Sequence, residues 1–163
     1  MIRKLHHNAY RCSDSEQTRR FYEDFLGLPL VKTLEINESK TGRATQTLHT
    51  FYRLADGSHL AFFESREMPF EFKKQHDFDL HIALEVDAED LQPMLAKGRE
   101  LNIEVRGPSD HGMIDSIYFR DPDGYVIELC AKRASHDALM DPARNGARDT
   151  LQRWTAAKSD NST

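Results

Sequence analysis

The 163-residue chain repeats itself, and that repeat limits its architecture more than any other feature. An offset of 74 places His7 on His81, Ala9 on Ala83 and Val31 on Val105 without a gap. Toward the end of each half the offset becomes 67, placing Arg53 on Arg120 and Asp56-Gly57 on Asp123-Gly124. The element signals follow the same order in both halves. Leu5 to Cys12 predicts a strand, Glu16 to Phe25 a helix with Ser13-Asp14 as N-cap types, and Gly27 its stop. Leu30 to Ile36, Thr45 to Leu54 and His59 to Glu64 predict three strands, the last two joined by a tight turn. After a charged loop over 65–77, Phe78 to Val86 alternates as a strand, 88–100 as a helix, and strands follow near Ile103–Arg106, Ser116–Arg120 and Tyr125–Ala131.

The expected fold class is therefore α+β: two βαβββ repeats, 3–64 and 78–131, forming a curved mixed sheet around one cavity within a single domain over 1–131. Residues 132–163 fall outside the repeat. They are expected to be a partly helical or disordered tail, or else an arm that packs on a partner subunit through Leu151 and Trp154.

Composition removes several classes. Net charge is −5, which argues against a general nucleic-acid binder, and no apolar run is long enough to span a bilayer. Cys12 and Cys130 make no disulfide framework, and Met1-Ile-Arg-Lys-Leu-His-His shows no secretory h-region, so a cytoplasmic protein with reduced thiols is expected.

Three possible metal ligands hold related places in the repeat: His7 and His81 in the first strand of each half, and Glu128 in the last strand of the second. His81 interrupts an apolar strand and Glu128 sits within Tyr-Val-Ile-Glu-Leu, where a charge needs a partner or a metal. Two imidazoles and one carboxylate on one face of an ion suit a non-haem Fe(II) oxygenase. A closed four-ligand set would need a carboxylate at 61, where Ala61 stands; Glu64 lies on the opposite strand face and would need a bulge to join. By the same alternation His6 should point away from His7.

His7, the helix ending Arg20-Phe-Tyr-Glu-Asp-Phe-Leu-Gly-Leu28, His81 and Asp121-Pro-Asp-Gly-Tyr-Val-Ile-Glu128 resemble the vicinal oxygen chelate superfamily. Its members include glyoxalase I, fosfomycin and bleomycin resistance proteins and extradiol dioxygenases. His111 followed by Ile117-Tyr118, Asp121-Pro122, Gly124 and Glu128 is similar to the extradiol signature. That resemblance implies a homodimeric oxidoreductase in which Fe(II), or Mn(II), is held by His7, His81 and Glu128 and a catechol-like aromatic diol is cleaved by O2. Tyr118 would then hydrogen-bond the substrate oxygen, His111 would stand beside it, and His59, which shares a face with Ala61, is the candidate acid/base. The other implied readings are a glyoxalase I-like lyase or isomerase acting on a thiol adduct with Ni(II) or Zn(II), and a small-molecule binding or resistance protein without chemistry.

Overall fold

The structure, a computed structural model, describes residues 1–74 and 76–160, the side chains of 159 and 160 excepted. The first module comprises β1 (Tyr10–Arg11), α1 (Ser15–Arg19, continuing as a π-helical turn over Arg20–Phe25), β2 (Leu30–Glu38), β3 (Ala44–Arg53) and β4 (His59–Ser65). The second comprises β5 (His81–Glu85), a 3-10 turn (Ala88–Asp90) running into α2 (Leu91–Glu100), β6 (Val105–Asp110), β7 (Ile114–Arg120) and β8 (Val126–Lys132). Two further helices follow, α3 (His136–Met140) and α4 (Ala147–Asp160).

The expected α+β class and the repeat are both present. Each module is one four-stranded mixed sheet, ordered β1-β4-β3-β2 and β5-β8-β7-β6. The register reproduces both offsets: Tyr10 pairs with Phe62, and their equivalents Leu84 and Leu129 pair with each other. The curved mixed sheet expected from the sequence is built of two four-stranded halves, each hydrogen-bonded within itself.

The first strand is far shorter than the alternation from Leu5 suggests. His7 meets His59 in an isolated bridge, and regular pairing resumes only at Tyr10. The cause is Asn8, whose side-chain Oδ1 accepts the Ala61 backbone N–H at 3.0 Å and so replaces a main-chain ladder bond. In the second module β6 extends to Asp110 through a stretch expected as loop, with its pairing shifted between Arg106 and Ser109.

The core lies between the two modules. Asp14 caps α1 by accepting from Glu16 N and Gln17 N. The Leu26 N–H then reaches back five residues to the Phe21 carbonyl at 3.0 Å. This wider turn leaves Phe21, Tyr22 and Phe25 all buried, each burial stabilising by about 1.5–3 kcal/mol. Tyr22 packs on Phe62 of the first sheet, while Phe25 meets Phe119 of the second edge to face. Polar latches cross the same boundary: Tyr22 Oη donates to Asp121 at 2.9 Å, Ser13 donates to Asp123, and Tyr125 Oη donates to the Arg11 carbonyl.

Gly98 shows how tightly α2 sits on its sheet. A Cβ there would lie 2.7 Å from a Phe119 ring carbon and 2.8 Å from a Val105 methyl. Gly98→Ala should therefore destabilise the protein by about 1–3 kcal/mol from overpacking, outweighing the roughly 1 kcal/mol that alanine gains in a helix interior. Urea unfolding measures the sign; a stabilised variant would show that β6 and α2 move apart easily.

Candidate metal centre

Strand alternation sorts the chemistry. Tyr52 and Phe62 point to the shared core from the first sheet, as do Ile117, Phe119, Ile127 and Leu129 from the second. The residues between them face away from that core. In the second sheet these include Tyr118, paired across the ladder with Glu128, and Glu128 itself, which neighbours Ala83 two residues beyond His81.

Glu128 is only 5% exposed, and its two oxygens have different surroundings. Oε1 accepts from Ser116 Oγ at 2.5 Å and from the Tyr118 hydroxyl at 3.3 Å. Oε2 faces Nε2 of His81 at 3.3 Å. On its other side the His81 ring places Nδ1 2.7 Å from the Asp77 carbonyl, which can only accept, so Nδ1 carries the hydrogen. In neutral His81 the Nε2 lone pair then confronts a carboxylate oxygen. Two acceptors at that distance are satisfied by a proton on Nε2 or by a cation held between them. The donor set thus fits a divalent ion.

Tyr118 extends the network. Its hydroxyl lies 2.8 Å from His111 Nε2, and the Arg106 guanidinium stands 4.2 Å over its ring while also pairing with Asp77. Burial, followed by the neighbouring Glu128 charge, raises the Tyr118 pKa above the ordinary phenol value. The sequence-derived set His81, Glu128, Tyr118 and His111 is therefore gathered on one sheet face.

His7 and His59 are gathered elsewhere, on the first sheet. The His7 ring lies 5.6 Å from Phe51 and 6.2 Å from His49. Loss of water around it, then the positive charges of His6, His49 and His59, hold its pKa below the ordinary histidine value. His6 does not point away as alternation suggested: its Nδ1 lies 2.8 Å from that of His7, because residues 5–9 do not form a regular strand. Glu64 faces the helix, accepting from Ser15 N at 2.8 Å. His49 was not singled out from sequence. It is buried and stacked on Phe63 at 3.6 Å, with Nδ1 3.0 Å from the Phe62 carbonyl. Its alternation with Thr45 and Thr47 along β3 was the available signal.

Among the described residues no three His, Cys, Asp or Glu side chains come close enough to hold one ion. One chain thus carries two partial sites, one with His7 and one with His81 and Glu128. They stay apart because both sheets turn their apolar faces to the same core, so the opposite faces point away from each other.

Residues 4–129 match the Glyoxalase/Bleomycin resistance protein/Dioxygenase superfamily. The chain belongs to this superfamily. It is 40% identical over 129 residues to a metallothiol transferase FosB of Bacillus licheniformis, covering 77% of this chain and 73% of that protein. It is 27% identical over 143 residues to a lactoylglutathione lyase of Neisseria meningitidis, covering 83% and 96%. Its fold also matches the fosfomycin resistance protein FosX of Listeria monocytogenes, solved with Mn(II) and sulfate, at TM-score 0.63 and 20% identity over 85% and 99% of the two chains. The first two carry transferase and lyase names and the third the name of a resistance protein, so the ring-cleaving expectation gains no support from them. No helix among the described residues is long and apolar enough to cross a membrane.

Proposed function

We propose that this chain is a metal-dependent enzyme of thiol chemistry, of the lyase or transferase type, working as a homodimer in which each site is shared by two copies. The observation that carries the metal reading is the His81 Nε2 lone pair confronting Glu128 Oε2 at 3.3 Å. His81 and Glu128 of one copy and His7 of a second would hold a divalent ion such as Mn(II), Ni(II) or Zn(II). Pairing the outward face of the first sheet with that of the second in a two-fold dimer completes two equivalent sites at once. A divalent ion bound there supplies Lewis acidity toward a substrate oxygen.

The chain's own groups support the substrate class. A cavity of about 410 Å³ on the first module is lined by Arg11 and Arg43, hydroxyls including Thr45 and Thr47, and the apolar Phe63 and Met68, with no carboxylate among the described residues. In a chain of net charge −5 that selection suits a ligand joining an anionic group to an apolar body, as thiol adducts of peptides or phosphonates do. Arg11 lies on the strand that follows His7, which places the anion pocket and the metal ligand in one module. Across the dimer, Tyr118 would orient the reacting oxygen through its hydroxyl, and His111, whose Nε2 lies 2.8 Å from that hydroxyl, would take up or return a proton through it.

The test uses complementation. Metal-loaded wild type should consume thiol in the presence of a hemithioacetal or an epoxide, whereas His7→Ala and Glu128→Ala should each be inactive. Mixed and re-associated, the two should regain about a quarter of the wild-type sites, because random pairing makes half the dimers mixed and each of those has one intact site. No recovery on mixing would refute the shared site. Ring cleavage remains the second reading on the His111–Tyr118–Glu128 chain, and a catechol panel with oxygen uptake tests it.

A further inference from the structure

Helix α4 is a 14-residue segment that lies open to solvent among the described residues. Every residue from 142 to 158 is exposed, including Leu151 and Trp154 at 65% and 66%. An isolated helix of this length is marginal in water, and most helical stability comes from an apolar face that packs on something. Ala147, Leu151, Trp154 and Lys158 are spaced four, three and four apart, so they form one narrow stripe. Arg148 and Arg153 fall about 100–120° to either side of it, and Asp149 lies at the back.

The body carries a surface of matching chemistry. A groove where the two modules meet has two lobes of about 370 and 620 Å³. Its floor includes Leu26, Leu54, Leu84 and Met94, and its rim carries Asp56, Glu85, Asp87 and Asp90, with no lysine or arginine lining it among the described residues. Lys132 reaches Glu85 from outside the groove at 2.9 Å, and Lys4 binds the Asp56 carbonyl; the four carboxylates still outnumber these cations. The charge division repeats this on the larger scale. Residues 132–163 carry six Lys/Arg against four Asp/Glu, so residues 1–131 hold a net −7 while the whole chain is −5.

We propose that α4 of one copy docks into the intermodule groove of a second copy. Leu151 and Trp154 enter the apolar floor, while Arg148 and Arg153 face the acidic rim. By two-fold symmetry each chain gives one helix and receives one. The proposal does not depend on the metal reading, since none of these residues belongs to the ligand set.

Disulfide trapping in the full chain decides the occupant. The double variant Leu151→Cys with Met94→Cys, oxidised at micromolar concentration, should give a covalent dimer on a non-reducing gel, and neither single variant should. A cross-linked monomer would place the helix in its own groove, and the absence of any cross-link would leave the groove to something else; either result overturns the proposal. Trp154 is the chain's one tryptophan, so its emission reports directly on the docking. Wild type should emit to the blue of a solvated indole, Leu151→Asp should return the emission to the solvated position, and Arg148→Glu with Arg153→Glu should do so in part. Adding Asp87→Lys to that charge-reversed tail should recover part of the blue shift. Emission at the solvated position in wild type, unmoved by Leu151→Asp, would also overturn it.

Discussion

Glu128→Gln should separate metal binding from stability, lowering metal affinity by at least about 100-fold while leaving the metal-free protein as stable as wild type or more so. Changing only a residue that supports the ligands lowers metal affinity about 10–100-fold, and here a ligand itself is changed. The stability expectation follows from the two Glu128 oxygens. A glutamine can keep Oε1 as acceptor for Ser116 and Tyr118 and turn its amide N–H toward His81 Nε2, now 3.3 Å from a lone pair. That exchange turns a confrontation of two acceptors into a hydrogen bond and removes a buried charge, which is often neutral or stabilising. Glu128→Ala should lose metal equally but also lose stability, because the buried Ser116 hydroxyl gives up its acceptor. Metal per protomer after dialysis and thermal unfolding in chelator provide the two readouts. A glutamine variant that keeps stoichiometric metal, or that melts well below wild type without metal, would sink this account of the site.

How much of this was legible in the sequence depends on what each signal measures. The offsets of 74 and 67 come from equivalent positions in two modules, and the pairs Tyr10–Phe62 and Leu84–Leu129 carry that equivalence into the register. The Asp121-Pro122-Asp123-Gly124 turn was readable for a local reason: Asp121 Oδ1 accepts from Asp123 N and Tyr125 N, and Gly124 takes a φ of 94°. Equivalence is not proximity, however. His7 and His81 match in the repeat, yet which way the modules face is decided by apolar contacts such as Tyr22–Phe62 and Phe25–Phe119, and these leave no mark on the spacing of histidines. The His6–His7 contact was hidden for a smaller reason. Period-two alternation holds only inside a ladder, and the Asn8 side chain ends the ladder there.

Tyr22→Ala should cost about 3–5 kcal/mol, as large aromatic truncations in a core do, and Tyr22→Phe should isolate a part of that cost that depends on pH. The ring is fully buried against Phe62 and Tyr52, and its hydroxyl donates to Asp121 across the module boundary at 2.9 Å. Burial pushes the Asp121 carboxyl up to about 6, with the Tyr125 backbone N–H and then the Tyr22 hydroxyl pulling it back. An unfolded aspartate titrates near 3.9, so between about pH 4 and 6 the folded state holds a proton that the unfolded state has released. The stability supplied by this group is therefore fully present below about pH 4 and is lost as pH rises through 6. The Tyr22 hydroxyl opposes that loss, since it donates to the ionised form, where such a bond is worth about 1.5–3 kcal/mol against 0.5–1.5 for a neutral pair. Removing it should raise the Asp121 pKa further, so Tyr22→Phe should cost about 1 kcal/mol more at pH 7.5 than at pH 4.5 by that difference. The neighbouring Asp123, also pushed up by burial, titrates in both proteins and cancels in the comparison. Urea unfolding at the two pH values measures it. A cost that is equal at both, or larger in acid, would place the shared proton on a group other than Asp121 and remove the electrostatic half of the latch.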